Sequence, residues 1–159
     1  MDPAKPAPLR GCGRLDPRTV VGGSDAGAHL DMMCGAAYST ALLASVRDHN
    51  TVTWEEAIEQ LTSVPADLYG LVDRGRLAAG CRADLTLFDP GTVGPDVERT
   101  LDDLPGGGSR IFTGAIGVPH VLVNGVQVVT DGKLTGSTPG TVLRSGRDTR
   151  TVPVPGPLN

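Results

Sequence analysis

The sequence of 159 residues has few aromatic side chains, few cysteines and no long apolar run. Aromatic residues make up 3% of it, and its three cysteines lie far apart without a Cys-x-x-Cys pair. That spacing indicates neither a disulfide framework nor a thiolate zinc cage. No apolar stretch reaches the roughly 18 residues needed to cross a bilayer, and none of signal-peptide length stands at the N-terminus. We therefore expect a cytoplasmic protein in a reducing compartment, with no membrane partner.

The charge pattern and the length set further limits. The net charge of -4 comes from 14 basic and 18 acidic residues, with no basic block of the kind that neutralises phosphates, so we expect no nucleic-acid partner. The sequence has no Walker loop, dinucleotide fingerprint or G-x-S-x-G elbow. The chain is too short for a complete β/α barrel of about 200 residues or more. It therefore holds one domain or pieces of two.

The N-terminal part reads as one β/α unit. Residues 1–16 are proline-rich and without period, which predicts a poorly ordered lead-in. The β-branched run Thr19–Val21, stopped by Gly22-Gly23, predicts a buried strand. Residues Asp31 to Val46 are mostly small or apolar and predict a buried helix. A strand, a loop and a helix follow one another here.

Two further helices are predicted after this unit. Thr53 and Glu56 have the spacing of a capping box, so a helix should begin at Trp54. Pro65 suits the first turn of a third short helix, and Gly70 suits its left-handed end.

The second half is predicted to be extended. A strand is expected over 83–89, a long loop over 91–109 and a short strand within 110–118. Asn124-Gly125 between two apolar runs predicts a type I′ hairpin over 120–129. Residues 130–133 turn again, and the sequence past Pro139 predicts a frayed tail.

The loop from Ser24 to His29 is the candidate for chemistry. Asp25 follows a predicted buried strand in a glycine-rich turn, where barrel enzymes place catalytic groups. Its carboxylate could bind a divalent metal or exchange a proton with metal-bound water. Ser24 and Asp25 are also ordinary N-caps for the helix that follows. His29 could be a second ligand, a substrate contact or a polar residue at a helix start, and these alternatives remain open.

Three segments together resemble a known family. They are Val20–Asp31 (VVGGSDAGAHLD), 73–90 (DRGRLAAGCRADLTLFDP) and Val121–Gly125 (VLVNG). They stand in the order found in amidohydrolases, and the chain is most similar to the N-acyl-D-amino-acid deacylase (D-aminoacylase) group over about residues 15–145.

The resemblance implies a site and a substrate. In that family the last barrel strand ends in an aspartate that acts as general base and acid at the metal-bound water. Asp25 matches it, as catalytic residue and metal partner, and Ser24 and His29 would lie near the substrate or metal. The implied cofactor is zinc, and the implied substrate is a small N-acyl amino acid.

The resemblance also implies an α/β fragment. It would hold the last β/α unit of a TIM-like metal-dependent hydrolase barrel, then helices, then C-terminal strands of a small β-sandwich. The expected division is a disordered lead-in over 1–16, the end of the barrel over 17–72, part of the sandwich over 73–136 and a flexible tail over 137–159.

The sequence departs from the family in one important respect. It contains no H-x-H ligand pair and only one of about eight β/α units, while a catalytic zinc needs about three protein ligands. We therefore expect this chain alone to bind no zinc and to be inactive unless an upstream chain completes it. Two alternatives remain: dihydropyrimidinase-like cyclic amides as substrates, and a non-catalytic β module that scaffolds or binds a partner.

Overall fold

A computed structural model describes residues 20–24, 29 and 35–153 of the protein, with helices first and antiparallel strands after them. The chain is therefore α/β. The helices are α1 Tyr38–His49, α2 Trp54–Leu61 and α3 Ser63–Leu68, and the strands are β1 Leu85–Leu87, β2 Gly94–Pro95, β3 Arg99–Leu104, β4 Gly108–Phe112, β5 Ala115–Ile116, β6 His120–Val123, β7 Val126–Thr130 and β8 Lys133–Leu134.

Helix α1 lies later in the sequence than predicted. Of the expected helix from Asp31 to Val46, residues 31–34 lie outside the described part and residues 35–37 precede the helix. Gly35 has low helix propensity, and Ala37 at the N-cap offers no side-chain hydrogen bond, so this end has little to extend it. The helix continues to His49, where Asn50 adopts a left-handed φ of 49° and its N–H donates to the Val46 carbonyl.

The predicted strand at Thr19–Val21 is not formed in its described residues. Val20 and Val21 have no strand assignment, and the side chain of Val20 is 40% exposed. Extended backbone becomes a strand only beside a neighbour that completes its hydrogen bonds. The described strands pair among themselves and leave no such neighbour for Val20. Thr19 itself lies outside the described residues.

The local signals of α2 and α3 are confirmed. The Glu56 amide donates to Thr53 Oγ1 at 3.1 Å, and the Thr53 amide donates to Glu56 Oε2 at 2.9 Å, which completes the capping box. Pro65 lies in the first turn of α3, where its missing N–H costs no hydrogen bond. Gly70 follows the helix with a φ of +68°.

A four-stranded antiparallel sheet in the order β1-β6-β7-β8 contains the predicted hairpin. Asn124 and Gly125 have φ values of 49° and 80°, as a type I′ turn requires. Strand β1 pairs with β6 so that Leu85 lies opposite Leu122. Asp131 and Gly132 then form the second predicted turn, with φ values of 49° and 72°.

The long loop expected over 91–109 was a wrong prediction. It contains β2 and β3 and the start of β4, with β2 paired to β5 and β3 paired to β4. Its Asp, Gly and Pro residues do not predict strands, because these residues are depleted in strands generally. Cross-strand bonds offset that composition here: both terminal oxygens of Asp103 accept from Arg110 at 2.7 Å.

A small apolar core joins the helices to the strands. Leu42, Leu43 and Val46 of α1 pack with Ala57 of α2 and with Val93, which precedes β2 and is 0% exposed. The predicted segments 17–72 and 73–136 therefore share one core.

The C-terminal strap, residues 139–150, packs back on the rest of the chain. The Asn124 side-chain amide donates to the Pro139 carbonyl at 2.8 Å, which fixes one end. The Arg150 amide donates to the Gly70 carbonyl at 2.8 Å, and Thr149 pairs with Leu71, which fixes the other. The segment expected to be a tail thus makes specific contacts as far as Arg150.

The capping box predicts the effect of Thr53→Ala. Loss of the side-chain acceptor leaves the Glu56 amide without its partner and should lower the free energy of unfolding by about 1 kcal/mol. Urea denaturation followed by circular dichroism measures this. Thr151→Ala, at an exposed residue, is the control and should stay within about 0.5 kcal/mol of the parent. Equal midpoints for the two variants would contradict a stabilising cap.

A second prediction uses two glycines with nearly equal φ values, Gly117 at +70° and Gly132 at +72°. A Cβ at Gly117 would lie 2.7 Å from the Val93 amide nitrogen, whereas one at Gly132 would have no neighbour within 4 Å. Gly132→Ala should cost about 1–2 kcal/mol for the left-handed backbone alone. Gly117→Ala should cost about 1–3 kcal/mol more, because backbone atoms next to the core must move. Equal losses in thermal unfolding would contradict the close approach.

Candidate functional site

The described structure contains the two ends of the predicted catalytic loop. Ser24 and His29 are both exposed, and His29 lies in a bend. Asp25, with the three residues after it, lies outside the described residues, so its predicted role remains a prediction.

The chain entering this loop is anchored to the core. Val21 packs against the cluster formed by α1, α2 and Val93, three residues before Ser24. Gly23 then takes a φ of +77° and has no atom within 4 Å of its Cβ direction, so the turn into the loop is open. Ser24, which is itself exposed, thus lies three residues after an anchored residue.

The described residues do not fit a zinc ion by themselves. In residues 20–24, 29 and 35–153, no three His, Cys, Asp or Glu side chains form a group that could hold a metal. His29, His49 and His120 lie in a loop, at the end of α1 and in β6. A catalytic zinc site needs about three protein ligands and an open position. The ligands that the family resemblance requires must therefore include residues other than these.

An aspartate–arginine network, not singled out from the sequence, occupies residues 67–84. Asp73 accepts from Arg74 Nη1 at 2.8 Å and from Arg82 Nε at 2.9 Å. Arg74 Nε also lies 3.1 Å from Asp84 Oδ2. The alternation of acidic and basic residues in DRGRLAAGCRAD was the available signal.

The same network lowers the pKa of two aspartates. Hydrogen bonds from Arg82, and then the charges of both neighbouring arginines, hold the pKa of Asp73 below its usual value. The hydrogen bond from Arg76, at 2.6 Å, does the same to the pKa of Asp67, which Arg150 of the strap also approaches at 3.2 Å. Both carboxylates are therefore ionised at neutral pH.

A cleft of about 420 Å³ lies between this network and the C-terminal strap. The sequence pattern does not indicate this cleft, because one of its walls belongs to the segment predicted to be a flexible tail. Its lining residues come from two segments, Val72, Asp73, Arg74 and Arg82 on one side and Thr141, Val142, Leu143, Arg147 and Asp148 on the other.

Residues 15–129 match the amidohydrolase family, and this chain belongs to that family. The matched region includes the loop from Ser24 to His29 and the network of residues 67–84. No helix in the described part of the chain has the length and apolar character to span a membrane.

Three relatives from Alcaligenes xylosoxydans xylosoxydans are similar in sequence. The N-acyl-D-glutamate deacylase is 35% identical over 117 residues, 74% of this chain and 22% of the relative. The N-acyl-D-aspartate deacylase is 37% identical over 110 residues, 69% of this chain and 20% of the relative. The D-aminoacylase is 35% identical over 97 residues, which are 61% of this chain and 18% of the relative. This chain spans about a fifth of the length of each.

A solved structure is similar as well, the crystal structure of a D-aminoacylase described as defining a novel subset of amidohydrolases. It is 31% identical, with a TM-score of 0.49, over 62% of this chain and 19% of that chain.

The lowered pKa of Asp73 predicts an acid-sensitive contribution to stability. A carboxyl whose folded pKa is depressed stabilises the fold above its unfolded pKa, about 3.9, and loses this as the pH falls through the folded pKa. Asp73→Asn should therefore lower the urea midpoint at pH 6, and its difference from the parent should shrink toward pH 2.

Asp131→Asn is the control for this experiment. Asp131 lies in the β7–β8 turn and makes no ion pair with other described residues, and asparagine also accepts its positive φ. The urea midpoint of Asp131→Asn at pH 6 should correspond to a change within about 0.5 kcal/mol of the parent. An offset of Asp73→Asn that is the same at pH 6 and pH 2 would show that the ion pairs contribute no stability.

Proposed function

We propose that this chain is the C-terminal part of a metal-dependent amidohydrolase that hydrolyses the amide bond of N-acyl-(D-)amino acids. The observation that supports this proposal most strongly is the family match over residues 15–129, which includes the Ser24–His29 loop. The three relatives named for N-acyl-D-glutamate, N-acyl-D-aspartate and D-amino-acid substrates support the substrate class. Because the three relatives are named for different amino acids, the proposal names the substrate class and not one amino acid.

In this proposal Asp25 moves the proton of the reaction. Hydrolysis adds a water oxygen to the amide carbonyl carbon and expels the amine, which must leave with an added proton. A carboxylate beside the water can take a proton from it and return that proton to the leaving nitrogen. Ser24 is adjacent to Asp25 and His29 lies four residues after it in the sequence. Both would position the substrate or support the metal.

The cofactor is proposed to be zinc, since amidohydrolases are generally metal-dependent. A bound zinc would polarise the amide carbonyl and lower the pKa of water. The described residues do not supply its ligand set. We propose that the other ligands come from an upstream region, since this chain spans only 22% of the length of the N-acyl-D-glutamate deacylase.

The proposed architecture rests on the match to the amidohydrolase family. Residues 17–72 would close a TIM-like barrel, and residues 73–136 would contribute strands to a small β-sandwich. The position of Val20 and Val21 supports this architecture, because they precede the Ser24–His29 loop and have no neighbouring strand among the described residues. We propose that an upstream chain completes the barrel and that this chain alone is inactive.

A non-catalytic scaffold is the second candidate. The observation in its favour is the four-stranded sheet, which is formed within this chain alone. Here residues 73–136 would bind a partner, and the loop from Ser24 to His29 would be a cap without chemistry. Cyclic amides of the dihydropyrimidinase type remain the alternative substrate of the enzyme.

The test is turnover and zinc content in a protein extended upstream. N-acetyl-D-glutamate, N-acetyl-D-aspartate, N-acetyl-D-leucine and dihydrouracil are offered to the extended protein and to the 159-residue chain. We expect the extended protein to bind zinc and release free D-amino acid, and the short chain to do neither. Asp25→Asn in the extended protein should lower kcat by about 10²–10⁴-fold, the usual contribution of a general acid and base.

Asp131→Asn in the extended protein is the control, because it makes the same change of charge in an exposed turn. It should leave kcat and zinc content unchanged. Full turnover by Asp25→Asn would remove Asp25 from the reaction. Turnover with stoichiometric zinc in the short chain would show that the ligand set is complete in it, and inactivity of both forms on every substrate would favour the scaffold.

A further inference from the structure

The cleft between the aspartate–arginine network and the C-terminal strap is an unassigned site. We call it the arginine cleft, and it holds about 420 Å³. One wall is the segment 72–82 and the other is strap residues 141–148. Both walls are fixed, because the network holds the first and the bonds at Pro139, Thr149 and Arg150 hold the ends of the second.

The guanidinium groups of Arg74, Arg82 and Arg147 line the cleft, and several of their N–H donors are unused. Arg82 uses Nε on Asp73, and its terminal nitrogens have no partner among the described residues. Arg74 uses Nη1 on Asp73 and Nε on Asp84, which leaves Nη2. Each arginine carries five N–H donors in a fixed fork. The cleft therefore presents more donors than the protein satisfies.

The carboxylates of the cleft are already occupied. Asp73 is held by Arg74 and Arg82, and Asp148 accepts from Arg147 at 2.8 Å and from the Arg144 amide at 2.8 Å. Their pKa values are lowered by these hydrogen bonds, so both remain ionised and acceptor-only. Three guanidinium groups and two carboxylates line the cleft, and a third carboxylate, Asp84, lies 3.1 Å from Arg74 Nε and accepts from the Asn124 amide at 2.7 Å. The charges therefore balance, and the unused capacity of the cleft lies in its N–H donors.

An apolar surface lies beside the unused donors. Val72 and Val142 are 65% and 74% exposed, and Leu143 lines the same cleft. Exposed aliphatic side chains next to unpaired guanidinium nitrogens match a ligand with an anionic end and an apolar end. Arginine forks bind a planar carboxylate through two parallel N–H···O bonds.

We propose that the arginine cleft binds a small organic monocarboxylate, with its carboxylate on the terminal nitrogens of Arg82 and its short alkyl chain against Val142 and Leu143. Unpaired guanidinium donors beside an aliphatic wall, without an excess of positive charge, suit a monoanion better than a phosphate, which carries more charge and no apolar part. None of these residues belongs to the Ser24–His29 loop. The proposal does not depend on the proposed deacylation and can be tested by binding alone.

The test is an amide NMR titration of the full 159-residue chain with sodium butyrate at pH 7 and constant ionic strength. We expect saturable shifts at residues 72–82 and 141–148, weaker binding of acetate, and no saturable shift with butylammonium. Inorganic phosphate is titrated as a separate arm. Saturable binding of phosphate without butyrate would overturn the carboxylate assignment, and a lack of saturation by butyrate would overturn the site.

Arg82→Gln has a matched control in Arg99→Gln. Both side chains are 57% exposed and each lies near one aspartate, Arg82 near Asp73 and Arg99 near Asp96, but Arg99 does not line the cleft. Butyrate affinity should fall at least about tenfold in Arg82→Gln and stay unchanged in Arg99→Gln. Equal affinities in these two variants, with circular dichroism like the parent, would overturn the role of Arg82.

Leu143→Ser tests the apolar end independently of charge. The preference for butyrate over acetate should disappear, while acetate affinity is retained. An unchanged preference would exclude the apolar wall as the part that recognises the ligand. This comparison holds even if Arg82→Gln fails to fold, as does the comparison of butyrate with butylammonium in the parent chain.

Discussion

The packing of Val93 against helix α1 is the contact on which the rest of the described structure depends. Val46 and Val93 are the two largest side chains that are fully buried, and Arg47 donates to the Val93 carbonyl from the same helix. The backbone of Gly117 passes so close to Val93 that a Cβ there would lie 2.7 Å from the Val93 amide nitrogen. Helices, strands and the connection between them therefore meet at one residue, so a change there would be felt in both halves.

The apolar core formed by the described residues is small. The buried cluster is five aliphatic residues, and Trp54 and Phe88 cover it with ring centroids 5.8 Å apart. A small core supplies limited stability, and specific polar contacts then matter more than usual. The capping box, the Asx turn at Asp89 and the network around Asp73 are contacts of this kind.

Sequence reasoning succeeded where the signal and its physical partner lie within a few residues. The Thr53–Glu56 box and the Asn124-Gly125 turn are local, and both were predicted correctly. It failed where the partner is distant. The strand at Val20 has no neighbour in the described chain, β3 depends on cross-strand bonds such as Asp103–Arg110, and the strap depends on Asp67. For the site, the family could be read from the sequence, and the role of the Ser24–His29 loop remains a prediction, whereas the arginine cleft required knowledge of where the strap lies.

The ion pair between Asp67 and Arg150 joins residues 83 positions apart. Chains are synthesised at about 5–20 residues per second, so Arg150 is added roughly 4–17 seconds after Asp67. Helix α3 and the network at Asp73 can form during that interval, because their contacts are close in sequence. The strap cannot. The cleft is thus completed last during synthesis, and a nascent chain has one of its walls before it has the other.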